Sequence, residues 1–336
     1  MSAKWYLGTG AQNDVVISTR IHIVRNLSGC PFPSMLGLRD KLAVNEIVRR
    51  TSDSLPDYAF NYAEMKMLSQ AQVVSLAERH LVSPEFASSS DGRALLLTED
   101  ESVSIMLNEE DHIRLQVMYA GFALDEAYSA ADRIERLLSE RLRFAFDERL
   151  GYLTQQPSLL GTGMRASVVL HLPALAASSR ITKLIASVGK LGLTLRGSYG
   201  EGAAARGDMF ILSNSVTLGI TEKTAINNLR SITLQIAASE RSARSELCAS
   251  PETEDRIFRA YGTLKYARML DTEEFMALIS FVRLGSVMGI LNVDRAKLEE
   301  LMIQMQPATV SLSVDRPLDK AARDSLRARL VRAALD

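Results

Sequence analysis

This sequence predicts a mixed chain, α+β or α/β, that ends in a wholly helical segment. Three observations carry the prediction: strand-like alternation between residues 93 and 117, helical repeats set between short apolar strands in the first two thirds, and almost no strand signal beyond Cys248. Residues 41–55 and 69–81 return apolar side chains at intervals of three and four, the spacing of one helix face. Residues 93–97 and 102–107 are short and apolar. Ile113, Leu115 and Val117 then repeat with period two directly after the polar run 108–112, which places that run at a strand connection. Helical spacing resumes over 126–143 through Ala127, Ala130, Ile134, Leu137, Leu138 and Leu142. Residues 167–172, 193–196 and 209–212 suit buried strands, with a helix over 174–191 between the first two. Thr221 opens a long helical pattern through Ile226, Leu229, Ile232 and Ile236. Four helices are expected at 252–269, 272–284, 294–305 and 318–335.

Composition narrows the class. With 336 residues, 47% of them hydrophobic, the chain has apolar material for one large domain or two modest ones, which sets disorder and collagen aside. The 39 basic residues are matched by 40 acidic ones, so a nucleic-acid sleeve is not expected. The apolar stretch 166–177 is interrupted by Ser, His and Pro, well short of the roughly 20 residues a bilayer crossing needs, so no membrane contact is expected. Residues 1–10 hold a single Lys and no long apolar core, unlike a secretory signal. Cys30 and Cys248 lie far apart and neither has metal-type spacing. A reduced, cytoplasmic chain without a disulfide or a resident metal follows as the expectation.

The densest polar cluster is Asn108, Glu109, Glu110, Asp111 and His112, closed by Arg114. A solvated turn is the common fate of such a run, so a functional role requires partners. Glu201 offers one, in the glycine-rich string RGSYGEG at 196–202. Arg165 lies in GTGMRAS at 161–167, where a small-residue turn leads into a strand, and Arg20 follows Ser18 and Thr19. Arg20, Arg114, Arg165 and Arg196 each read as standing at a strand edge beside a turn, with Glu110 and Glu201 in two of those turns. Guanidinium forks match phosphate oxygens, and carboxylates match a guanidinium in the same bidentate way. One pocket built from these groups would suit a nucleotide triphosphate and an arginine-like acceptor.

The strings STRIHIVRN, NEEDHIR, GTGMRASV and RGSYGEG, in this order, resemble the guanidino kinase (ATP:guanido phosphotransferase) superfamily of creatine and arginine kinases. DERLGYLT at 147–154, LHLPAL at 170–175 and VRLG at 282–285 extend the resemblance over nearly the whole chain, which is most similar to bacterial protein arginine kinases of the McsB type. The resemblance implies an α+β phosphotransferase domain at 1–245, a largely antiparallel sheet flanked by helices, and a helical dimerisation and phosphoarginine-binding domain at 246–336. It implies ATP and Mg²⁺ as cofactors, with the metal carried by the nucleotide. Glu110 becomes the base and Glu201 the second grip on the acceptor. Ser18, Arg20, His22, Arg114, Arg165 and Arg196 become phosphate contacts, Glu109 and Asp111 neighbours of the magnesium water shell, and Gln156 a substrate-pocket residue. RDSLRA at 323–328 resembles the RDxxRA element that binds phosphoarginine near the dimer interface. On a helix Arg323 and Arg327 are four apart and share a face, so with Asp324 they suit a clamp on a phosphoryl group.

Three positions depart from that pattern. His22 stands where the family has a second arginine, Gln156 where it has a reactive cysteine, and Leu159 where it has an asparagine. A histidine near its unperturbed pKa still donates a hydrogen bond and is partly charged, whereas Gln156 supplies no negative charge beside a guanidinium. Two function classes are therefore carried forward. One is an ATP-dependent protein arginine kinase whose product marks proteins for Clp-type proteolysis, working as a homodimer with an activator protein. The other is a catalytically weakened pseudokinase that acts as a phosphoarginine-binding regulator. A kinase for free arginine is the third reading.

Overall fold

A computed structural model describes residues 4–55, 57–198, 205–314 and 317–336. The strands among them are β1 Val16–Arg25, β2 Phe60–Glu64, β3 Ala94–Thr98, β4 Val103–Leu107, β5 Ile113–Ala120, the short pair β6 Phe146–Asp147 and β7 Gly151–Tyr152, then β8 Met164–His171, β9 Leu193–Gly197 and β10 Met209–Asn214. Eight of them form one sheet in the order β2-β3-β4-β5-β1-β8-β10-β9. Every neighbouring pair is antiparallel. That pairing decides the open choice in favour of α+β, since no pair needs the long crossover that joins parallel strands.

The helices are α1 Leu38–Ser52, α2 Gln70–Glu78, α3 Pro84–Ala87, α4 Leu124–Ser139, α5 Pro173–Ala177, α6 Ile181–Gly189, α7 Glu222–Leu247, α8 Pro251–Tyr266, α9 Thr272–Val287, α10 Arg295–Gln304, α11 Pro307–Ser311 and α12 Lys320–Leu335. Local chemistry explains their ends. The Thr221 side chain accepts from Thr224 N, as expected of the residue that opens α7, and Asp319 caps α12 by accepting from Ala322 N. The single helix expected over 174–191 is two, because Ser179 adopts φ +56° and turns the chain between α5 and α6. Strand β2 was not anticipated. It is an edge strand without a fully buried residue, so it lacks the apolar alternation that reveals β4 and β5.

Period-two alternation gives the sheet two unlike faces. On one, Ile21 and Ile23 of β1, Leu115 and Val117 of β5, Ala166 and Val168 of β8 and Leu212 of β10 pack with Ala131 and Ile134 of α4 and Leu229 and Ile236 of α7. The other face is apolar at its flanks. At one flank Leu95, Met106 and Met118 meet Trp5, Leu76 and Phe86. At the other, Met209 joins the core of the C-terminal helices, built on Ile257, Phe275, Ile279, Leu298 and Val331. Between the flanks lies a polar band.

Candidate active site

The polar band follows from register. Arg20 is opposite Ser167 on one side and Met118 on the other, and His22 is opposite Arg165 and Gln116. Residues directly opposite in an antiparallel pair project to the same face, so Arg20, His22, Arg165, Ser167 and Gln116 share one. Arg114 lies two residues before Gln116, Ser18 two before Arg20, and Ile211, which pairs with Arg196, two before Ser213, which pairs with Ser167. Four strands thus deliver Arg20, Arg114, Arg165 and Arg196 to the same face. Arg20 was expected at a strand edge; it sits in the middle of β1, because that strand is paired on both sides along most of its length.

A cavity of about 430 Å³ opens over this band, lined by Arg20, His22, Arg114, Gln116 and Arg196 and walled by His80, Ser83, Glu85 and Gln306. Mutual repulsion marks the cluster. Burial, then Arg114 and Arg196, hold the Arg165 guanidinium below the ordinary arginine value. Arg165 Nε and Arg114 Nε are buried and hydrogen-bonded to nothing among the described residues. Crowded guanidiniums with orphaned N–H groups fit a multiply charged phosphate chain, which would satisfy both deficits at once.

His22 differs from the charged donor that its unperturbed pKa suggested. Its Nε2 lies 2.6 Å from Gln116 Oε1. Burial first, then Arg114 and Arg20, depress its pKa well below the usual value, so the ring is neutral and Nε2 donates to the amide oxygen. Gln116 is fixed in turn by the His80 carbonyl, which accepts from its Nε2 at 2.9 Å.

The acidic turn is anchored nearly everywhere. Asn108 adopts φ +56° and its N–H donates to the His112 carbonyl, closing the turn. Its side-chain amide donates to Lys41 O, Asn45 Oδ1 and Gly92 O. His112 N donates to Asn26 Oδ1, while His112 Nδ1 accepts from Leu27 N. Glu109 takes a hydrogen bond from Ser83 and grips Arg114 at 2.8 Å. Asp111, expected beside the magnesium water shell, is 4% exposed and its Oδ1 accepts from Asn26 Nδ2 at 2.6 Å and Gln155 N at 2.8 Å, so it is an internal clamp. Both Glu109 oxygens are likewise engaged by protein groups. Only Glu110 within 108–112 is left partly exposed. Burial, and after it the charges of Glu109 and Asp111, raise its carboxyl above the ordinary glutamate value, while Arg114 pulls the other way.

The Asp111 clamp brings in the loop that carries Gln156. Gln156 is half-buried, and its carbonyl accepts from Thr154 Oγ1 at 2.7 Å; Leu159, in place of the family's asparagine, is buried. The GTG string then closes tightly. Gly161 and Gly163 have φ of +101° and +59°, and an added Cβ would come within 2.3 Å of the Thr217 carbonyl and 2.6 Å of Arg25 Nη1 respectively. Only glycine lets the backbone pass there into β8 with Arg165 as its second residue.

Glu201 lies outside the described residues. At the far end lie Arg323, Asp324 and Arg327, expected as a clamp on a phosphoryl group; Arg323 Nε and Arg327 Nη2 are buried and hydrogen-bonded to nothing among the described residues. Arg327 is wholly buried, ion-paired with Asp324 at 2.7 Å and bonded to the carbonyls of Met305 and Leu270, because its stripe of α12 faces the helical core. Arg323 is half-buried. Sequence reasoning missed Gln116, Asn26, Ser83 and His80. Gln116 was findable, since it follows Arg114 at the strand period, whereas Asn26, Ser83 and His80 belong to other elements and meet the site only through packing.

Comparison with known proteins accounts for this arrangement. The ATP:guanido phosphotransferase C-terminal catalytic domain family matches residues 43–243, and the protein-arginine kinase McsB C-terminal domain family matches residues 250–336. A protein-arginine kinase of Caldanaerobacter subterraneus subsp. tengcongensis is 42% identical over 328 residues, covering 96% of this chain and 97% of the relative. One from Brevibacillus brevis is 42% identical over 342 residues, covering 99% and 95%. Among solved structures, a lombricine kinase has a TM-score of 0.62 at 23% identity, covering 73% of this chain and 72% of that one. A duplicated taurocyamine kinase from Schistosoma mansoni has a TM-score of 0.65 at 24% identity, covering 82% of this chain and 40% of that one. These two likenesses show the fold. The matches to sequence families add the class of enzyme: the chain is an ATP-using phosphotransferase and belongs to the protein-arginine kinase family of the ATP:guanido phosphotransferase superfamily.

Proposed function

We propose that this chain transfers the terminal phosphoryl group of ATP to arginine side chains of proteins. One observation carries the reading: four strands bring Arg20, Arg114, Arg165 and Arg196 to one sheet face, beside a buried turn that leaves Glu110 outward. ATP supplies the phosphoryl group when bound, with magnesium riding on its phosphates. A guanidinium stays protonated near neutral pH and is a poor nucleophile, so Glu110 takes one of its protons as the nitrogen attacks phosphorus. The raised pKa of Glu110 suits that task, provided the group is ionised at the working pH. As the N–P bond forms, the bond from phosphorus to the bridging oxygen breaks, and the arginines and Ser18 receive the charge that develops on the phosphate oxygens. Glu201 holds a second guanidinium nitrogen and aligns it for in-line attack.

His22 acts here as a neutral brace between strands, and Gln156 orients the acceptor by hydrogen bonding without polarising it. Glu109 fixes the Arg114 fork, and any contact with magnesium runs through water. Phosphoarginine recognition in the helical part falls to Arg323 and to the unpartnered Nη2 of Arg327, whose fork Asp324 holds in place. The family likeness further supports a homodimer, an activator protein and a product that marks proteins for Clp-type proteolysis.

The test is phosphoarginine-specific mass spectrometry of casein incubated with ATP, magnesium and the purified chain, under conditions that avoid acid hydrolysis, beside a Glu110→Gln control. Phosphoarginine that appears with the chain and vanishes with the variant is expected. Its absence from a folded, ATP-binding chain would point to the phosphoarginine-binding regulator, and suppression by free arginine would point to the small-molecule reading.

A further inference from the structure

Two carboxylates line the cavity together with Arg20, Arg114 and Arg196: Glu85 of α3 and, on α2, Glu78. The charge of Glu78 is drawn off to one side. Glu78 Oε1 accepts from Ala308 N at 2.9 Å, and Oε2 accepts from Thr309 N and Thr309 Oγ1, both at 2.8 Å. Ala308 and Thr309 form the first turn of α11, which belongs to the C-terminal helices. Ser75 Oγ, one turn earlier on α2, lies 3.0 Å from Thr309 Oγ1 and completes the seat. The segment just before α11 is tied deeper into the helical core. Met305 O accepts from Arg327 Nε at 2.8 Å, and Gln306, itself a wall of the cavity, donates to Met302 O.

From this geometry we propose that Glu78 is a positioning residue whose charge the C-terminal helices hold away from the phosphate-binding arginines, so that the seating of α11 sets the affinity for ATP. The inference rests on the kinase reading above and adds a control to it. With α11 seated, three donors absorb the carboxylate, and Glu78 makes no ion pair with the cavity's arginines among the described residues. With α11 displaced, the carboxylate loses those donors at the edge of a cationic cavity, and pairing with an arginine becomes its best alternative. The carboxylate then competes with the nucleotide.

The test uses the full chain and reads ATP binding by calorimetry in the presence of magnesium. Thr309→Val removes the hydroxyl donor while leaving the backbone N–H groups in place, and is expected to weaken ATP binding about three- to tenfold. Adding Glu78→Gln removes the competing charge, so the double variant is expected to bind within about twofold of the unsubstituted chain. A purely structural clamp gives the opposite sign, because the second substitution would then weaken binding further; that result, or unchanged affinity in Thr309→Val, overturns the proposal. Should Thr309→Val fail to fold, Glu78→Gln alone decides: ATP affinity equal to or tighter than the unsubstituted chain at a lower Tm supports the proposal, and weaker affinity refutes it. An unsubstituted chain that binds no ATP would sink the kinase reading itself, whereas a binding chain with unresponsive variants sinks only this control.

Discussion

Asp111 and Gln155 meet through a single hydrogen bond, the Gln155 N–H donating to Asp111 Oδ1 at 2.8 Å, and that bond joins the turn that presents Glu110 to the loop that carries Gln156. Asn26 doubles the connection by donating to the same oxygen and to Leu153 O. Two segments more than forty residues apart are thereby held in one register.

Asp111→Ala is therefore expected to lower stability by about 1–3 kcal/mol, since it removes the acceptor shared by the buried Asn26 amide and the part-buried Gln155 N–H. Turnover should fall more than ATP affinity does, because the loosened loop belongs to the acceptor side. Urea melts and a comparison of kcat with the ATP dissociation constant would check both; unchanged kcat would show that the clamp does not position the site.

Glu110 carries a stability consequence with a definite sign. Its folded-state pKa lies above the unfolded value, so between the two the folded chain binds more protons and stability falls as pH rises. Glu110→Gln cannot ionise. Its Tm is expected to exceed that of the unsubstituted chain at pH 8 and to converge with it below about pH 4, where both states of the carboxyl are protonated. Phosphotransfer by the unsubstituted chain should rise with pH across the same window, as the base becomes ionised, and the variant should lose about 10²- to 10⁴-fold in rate. Thermal melts across pH, read beside the rate profile, test the pairing.

Restoring the family's arginine by His22→Arg places a charge where burial, Arg114 and Arg20 already keep a histidine neutral. The free protein is expected to lose about 1–3 kcal/mol through the uncompensated charge, while the Tm increase on adding ATP grows, because phosphate relieves the repulsion. Thermal melts with and without nucleotide measure the two effects separately.

Arg323 and Arg327 should part company. Removing Arg327 leaves Asp324 buried and unpaired, and Arg327→Ala is expected to cost about 3–5 kcal/mol. Arg323→Ala, on the half-buried edge of α12, should change stability by about 0.5 kcal/mol or less and remove any phosphoarginine binding. Denaturant melts and phosphoarginine calorimetry on the two variants distinguish a ligand contact that is also core from one that is not.

Much of the fold was legible because it rests on local periodicity. Period-two alternation in β4 and β5, and the three-and-four spacing in α4 and α7, stand out wherever one face is buried and the other is not. Failures came where that contrast is missing. Strand β2 is an edge without a buried side chain, β1 interleaves Ser18, Arg20 and His22 with its apolar residues, and a single positive φ at Ser179 divides a continuous helical pattern.

The motif strings were enough to announce the residues of the site, since a guanidinium, a carboxylate or a glycine has the same chemistry wherever the chain carries it. Which of them face the ligand was decided only by packing. Nothing in NEEDH tells Glu110 from Glu109 and Asp111; the difference is that Asn26, Gln155 and Ser83, from other parts of the chain, together with the nearby Arg114, satisfy the latter two and leave Glu110 outward. In the same way the spacing of Arg323 and Arg327 puts them on one helix face, but the core of the C-terminal helices takes Arg327 inside. Sequence spacing sets neighbours along a strand or a helix turn. Burial and partnership are set by whichever distant segment packs against that face, and no local pattern encodes the contact.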